Sequence, residues 1–114
     1  MKLKPIKHED MRRTLVEYIS GIPFKRAKVL EVKQTSVLGK HYHKENDSVF
    51  YLFKGSGRYY LKPLDGAPDS GIMLEGDCLF VPRNVIHTFE LEAGSIMLET
   101  SSEIYNKNDE IQVT

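Results

Sequence analysis

One cysteine, Cys78, stands among the 114 residues, so no internal disulfide can form, and tryptophan is absent altogether. No apolar run approaches the roughly 20 residues that a helix needs to cross a bilayer. The opening MKLKPIKHEDMRR lacks the uninterrupted apolar stretch of a secretory signal. A reducing, cytoplasmic address with no membrane partner is therefore expected. Net charge is missing as well, because 16 Lys and Arg balance 16 Asp and Glu. That removes the basic footprint of a nucleic-acid binder. Also lacking is a long amphipathic segment of 3.6-residue period, which excludes a helical bundle and leaves a β fold.

What is present fits one compact unit, residues 1–114, with 40% hydrophobic and 28% charged residues. Runs rich in β-branched and aromatic residues recur about every ten positions, the rhythm of an all-β sandwich or barrel. They are Thr14–Ile19, Phe24–Val32, Lys40–His43, Ser48–Lys54, Arg58–Leu64, Gly71–Leu74, Cys78–Val81, Ile86–Leu91 and Ser95–Thr100. The core is expected over about residues 22–101, after an N-terminal strand and before a polar, half-ordered tail. Gly55-Ser56-Gly57 reads as a hairpin turn between two aromatic strands. The balanced charge hides a gradient: basic residues dominate up to Pro63 and acidic ones from Leu64 onward.

Histidine supplies the chemistry. His41 and His43 lie two apart on an expected strand, so their side chains share a face and can reach one metal ion or flank one substrate. His87 alternates with Phe89 and Leu91, which places it on an apolar, inward face. Histidine titrates near neutrality, so one imidazole of a pair can remove a proton beside a carbonyl while its neighbour returns one. His8 sits in a charged stretch and reads as a surface residue, and Cys78 as a small buried hydrophobe.

The segment HYHKENDSVFYLFKG resembles the first motif of the cupin superfamily, and GDCLFVPRNVIH resembles the second. His41, His43 and His87 match the family's three histidine ligands, and Gly55, Gly76 and Pro82 match its framework residues. The resemblance implies a single cupin double-stranded β-helix, or jelly-roll barrel. Three positions depart from the pattern: Ser48 stands where the family carries a glutamate ligand, Asn84 where glycine is frequent, and Leu91 where asparagine is frequent. Asp47 and Glu45 are close enough to serve as a substitute carboxylate if the hairpin shifts register.

A narrower resemblance links the chain to the nucleotide-sugar 3,4-ketoisomerase and epimerase cupins. Its carriers are Ile22-Pro23-Phe24, the quartet His41-Tyr42-His43-Lys44, and the ending Tyr105, Asp109, Ile111. It implies proton transfer through His41 and His43 without a metal. The expected activity is thus isomerisation or epimerisation of a nucleotide-linked or free keto sugar. Two alternatives stand beside it. One is a metal-dependent dioxygenase or lyase holding Zn, Ni, Cu, Fe or Mn on three histidines, and the other is a sugar-binding cupin without catalysis. The expected ligand is a small, anionic or sugar-like molecule, contacted by Lys44, Phe50, Arg58, Tyr59 and Phe89. Lys40, Lys62 and Arg83 are further candidates to meet a diphosphate at the barrel mouth. Tyr51 and Phe53, apolar on the outer face of their strand, are expected under a second sheet or a homodimer partner.

Overall fold

The computed structural model describes residues 1–113, built of strands and one 3₁₀ turn. The strands in chain order are β1 (Lys2–Leu3), β2 (Ile6–Glu9), β3 (Thr14–Glu17), β4 (Arg26–Glu31), β5 (Ser36–His43), β6 (Ser48–Lys54), β7 (Ser56–Pro63), β8 (Asp69–Leu74), β9 (Cys78–Val81), β10 (Val85–Leu91), β11 (Ile96–Ser101) and β12 (Glu110–Gln112). Two five-stranded antiparallel sheets face each other, ordered β1-β9-β6-β11-β4 and β12-β5-β10-β7-β8, and β2 pairs only with β3. This is the all-β jelly roll that the cupin resemblance implies. Among the described residues no helix is long and apolar enough to cross a membrane.

Alternation explains how the core fills. On β10 the side chains of Val85, His87, Phe89 and Leu91 are buried while Ile86, Thr88 and Glu90 are less so. These inward residues pack with Phe50, Leu52, Leu79, Val81 and Met97 of the facing sheet to form one apolar core. The middle of β6 is covered on both faces. Its outer side, with Val49 and Tyr51, packs on Cys78 and on Val16, Tyr18, Ile19 and Phe24 from the chain's own N-terminal part. The rings of Tyr18 and Tyr51 stack at 5.0 Å. Tyr51 therefore finds its cover within the chain, whereas Phe53 remains 48% exposed.

Gly55 does not turn a hairpin. It joins β6 in one sheet to β7 in the other, and those two strands do not pair with each other. The corner is tight: Gly55 has φ +101°, and a Cβ there would clash with Ser95. Asn84, at φ +63°, fills a left-handed position. Asparagine tolerates that region better than other non-glycine residues, so this departure from the cupin pattern keeps the turn.

The charge gradient is resolved by strand order. Basic N-terminal residues meet acidic later ones in the pairs Lys2–Asp77, Lys28–Glu99 and Lys25–Glu103, at 3.1, 3.1 and 3.4 Å.

Candidate active site

A bulge in β5 assembles the histidines. His41 stands directly opposite His87 of β10, and the pairing slips between His87 and Thr88. The slip is absorbed at Gly39 and Lys40, whose φ angles are +93° and +67°. Only glycine fits the first position, because a Cβ there would lie 2.6 Å from the His87 carbonyl oxygen. The extra residue lets Leu38, His41 and His43 all line one cavity, whereas simple alternation would send Leu38 and His41 to opposite faces. Ring centroids are 4.6 Å apart for His41 and His87, 5.2 Å for His41 and His43, and 5.8 Å for His43 and His87. One ligand nitrogen from each ring lies within 4.8 Å of the others.

The C-terminal segment, a 3₁₀ turn ending at Asp109 followed by β12, brings two carboxylates to these rings. β12 runs beside β5, with Glu110 opposite His43 and Gln112 opposite His41. The His43 Nδ1 lies 3.2 Å from Asp109 Oδ2. Asp109 Oδ1 accepts the backbone N–H groups of Lys44 and Glu45 at 2.9 and 2.7 Å, so this 7% exposed carboxylate is held on three sides. His41 Nδ1 lies 3.0 Å from Glu110 Oε1, and His87 Nδ1 lies 3.1 Å from the Val85 carbonyl oxygen. Carboxylate and carbonyl oxygens accept, so the hydrogen bonds of His43 and His87 assign the proton of each of these rings, when neutral, to Nδ1 and leave Nε2 with its lone pair, while His41 and Glu110 are in charge-pair contact only. The tail expected to be half ordered thus supplies two carboxylates of the site. The signal for Asp109 is the ending Tyr105, Asp109, Ile111; nothing comparable marks Glu110.

Burial sets the charge state. It lowers the pKa of His41, opposed by Glu110 and aided by the nearby His43. It lowers His87 further, to about 4, against the pull of the Val85 carbonyl. Two of the three rings are thereby biased to the neutral form at neutral pH.

Ser48 stands outside the lining of the histidine cavity. Its buried hydroxyl is tied to Asn46, Glu99 and Ser101 at 2.9, 3.0 and 3.0 Å. Asp47 is equally committed, since it accepts the Arg83 backbone N–H at 2.8 Å and the Arg83 guanidinium at 3.0 Å. A carboxylate nevertheless reaches the cavity from the neighbouring strand: Glu99 of β11, opposite Phe50 of β6. Burial would raise its pKa, but Lys28 and hydrogen bonds from Lys28, Ser48 and Ser101 outweigh it and keep Glu99 ionised.

The cavity is small, about 140 Å³, below the roughly 300–1,000 Å³ usual for sites that take drug-sized ligands. Phe50 and Phe89 form part of its wall as expected. Tyr59 does not reach it, because its ring is buried in the core beneath Gly71. Lys44 and Arg58 are exposed elsewhere, with Arg58 opposite Glu90 on β10. Lys62 donates to the Pro63 and Gly66 carbonyls, and Arg83 pairs with Asp47. The basic groups that do line the cavity, Arg26 and Lys28, come from β4 and carry no mark in the sequence.

Comparison with known proteins agrees with this architecture. An uncharacterised protein of Aquifex aeolicus is 31% identical over 74 residues, which covers 64% of this chain and 57% of that relative's length. A QdtA 3,4-ketoisomerase double mutant from Thermoanaerobacterium thermosaccharolyticum, solved with TDP, superposes with a TM-score of 0.85 at 26% identity, covering 99% of this chain and 86% of that one. A 3,4-ketoisomerase from Helicobacter canadensis superposes with a TM-score of 0.86, also at 26% identity, covering 99% and 90%. The profile of one family, described as FdtA, WxcM-like C-terminal, matches residues 1–113, and the chain belongs to that family.

Proposed function

We propose that this chain is a sugar isomerase that moves a carbonyl between neighbouring carbons of a nucleotide-linked keto sugar, as a 3,4-ketoisomerase does. The observation that carries the reading is the pair His41 and His43 on one cavity, each with a carboxylate beside its Nδ1, Glu110 for His41 and Asp109 for His43.

The roles divide by environment. His43 Nε2 takes the proton from the hydroxyl-bearing carbon beside the carbonyl, and buried Asp109 stabilises the imidazolium that forms. The electron pair of that C–H bond becomes the double bond of an enediolate as the carbonyl π pair moves onto its oxygen. His41, biased to the neutral form by burial, relays the hydroxyl proton to the former carbonyl oxygen. Return of the proton from His43 to the former carbonyl carbon completes the exchange of ketone and alcohol. Solvent deuterium should therefore appear at a carbon next to the carbonyl when the protein is incubated with nucleoside-diphosphate keto sugars in D₂O. A panel returned without isotope or isomer would overturn the reading.

The histidine triad favours a second reading. Three ring nitrogens within 4.8 Å of one another, one from each histidine, suit a divalent transition metal on His41, His43 and His87. When bound, such an ion would polarise a substrate oxygen as a Lewis acid. The isomerase reading expects protein purified without chelator or histidine tag to contain no stoichiometric metal and to keep its activity in EDTA. A tightly held ion whose removal abolishes turnover would move the assignment to a metal-dependent dioxygenase or lyase.

A further inference from the structure

We propose that two copies of this chain pair through β4, each lending its β2–β3 ribbon as the next two strands of the partner's sheet. β4 ends the sheet β1-β9-β6-β11-β4, so one of its edges is hydrogen-bonded to β11 and the other pairs with no strand. Open edges are ordinarily blunted by proline, by a bulge, by a projecting charge or by brevity. β4 runs for six residues in unbroken register with β11, without proline or bulge. Its central charge, Lys28, is held by Glu99 of β11 at 3.1 Å. Val29 is 71% exposed and Leu30 38%, so the open edge is apolar as well as long. The other sheet ends are better closed. β1 and β12 are two and three residues long, and the Ile72 carbonyl of β8 accepts from Lys2 Nζ at 3.3 Å.

The complement of this edge lies on the same chain. β2 and β3 pair only with each other, and an isolated two-stranded ribbon is marginal in water. The ribbon is loosely seated on its own barrel: a space of about 700 Å³ separates its Lys7 and Thr14 from Phe53 and Leu98 of the sheet. Its Ile6 and Leu15 are 52% and 45% exposed. Laid antiparallel along a partner's β4, β3 brings Glu17 to Lys28, Val16 to Val29 and Leu15 to Leu30. Apolar then faces apolar and acid faces base across the pair. The five-stranded sheet gains two strands, and main-chain hydrogen bonds supply the attachment. The arrangement closes at two copies, because the one that gives a ribbon also offers a β4 to receive one.

Sedimentation equilibrium of the full chain should give twice the chain mass, and a monomer at every concentration would overturn the proposal. Val29→Asp on the edge and Leu15→Asp on the ribbon should each raise the dimer Kd by about 30-fold or more, the effect of a charge left unpaired in an interface. Ile72→Asp, on the exposed side of β8, should leave Kd unchanged. A dimer lost in Ile72→Asp but kept in Val29→Asp would move the contact to the other sheet and sink the proposal. Loss in Val29→Asp with none in Leu15→Asp would pair β4 with β4 and remove the ribbon from the contact. Hydrogen exchange of the unaltered chain tests the same pairing should a variant fail to fold. Amides of β3 and β4 should gain protection as the protein concentration rises through Kd, and exchange that ignores concentration is the adverse result.

Discussion

His43→Asn is expected to slow solvent isotope exchange by about 10²–10⁴-fold, the range for removing a positioned general base. Asparagine is close to imidazole in reach and polarity but cannot take up a proton at neutral pH, so the fold and the bond to Asp109 can persist while the proton acceptor is lost. Asp109→Asn separates orientation from chemistry. The amide keeps a polar group beside Nδ1 but loses the negative charge that stabilises the imidazolium, so a smaller fall of about 10–100-fold is expected, the usual effect of removing an orienting partner. It should appear in kcat more than in KM, because Asp109 is 7% exposed and touches His43 rather than the cavity. The double variant should be scarcely slower than His43→Asn alone, since Asp109 acts through His43. NMR detection of deuterium at the exchanging carbon gives all three rates. Exchange within a few-fold of the parent in His43→Asn would assign the base elsewhere, and a purely structural role for Asp109 would instead lower the melting temperature and leave kcat intact.

The fold was legible because jelly-roll strands advertise themselves locally. Val85 to Leu91 alternates cleanly, and its inward set, with His87 among apolar residues, is what the structure buries. What escaped reading depends on contacts distant in sequence. Gly55-Ser56-Gly57 has the chemistry of a hairpin, yet whether a turn returns the chain to the same sheet or carries it to the opposite one is decided by pairing partners elsewhere, here β9, β10 and β11. The bulge at Gly39–Lys40 resets the alternation of β5, so parity counted from the histidines does not extend back to Leu38.

The site was legible in the same uneven way. The three histidines lie inside two compact motifs and can be read in register. Their partners Asp109 and Glu110, the last residue of the 3₁₀ turn and the first of β12, arrive from 66 or more positions away in chain from His43, in a tail whose polar composition signals little. The cationic mouth was misplaced for an electrostatic reason. Lys44, Arg58, Lys62 and Arg83 bracket the motifs in sequence, but charged side chains on strands turn outward where they can, while Arg26 and Lys28 enter the cavity from the edge strand β4. Lys28 is tolerated there because Glu99 lies across from it on β11.

The same burial that prepares the site makes the protein sensitive to acid. His87 is 4% exposed and its folded-state pKa is lowered to about 4, against about 6.5 for an unfolded histidine. Between those two values the unfolded chain binds a proton that the folded chain refuses. Stability from this group is therefore complete above pH 6.5, falls as the pH drops toward 4, and levels off below it. The span corresponds to on the order of 3 kcal/mol, a large part of the ~5–15 kcal/mol that holds a typical domain together. His41, shifted in the same direction by burial, should add to the loss. Chemical denaturation of metal-free protein across pH 4–7 should show this slope. His87→Gln cannot titrate there, so although it starts less stable at pH 7 from lost packing, its stability should fall less steeply with acid. A slope in His87→Gln equal to the parent's would remove His87 as the source and leave the carboxylates paired in the folded state to account for it.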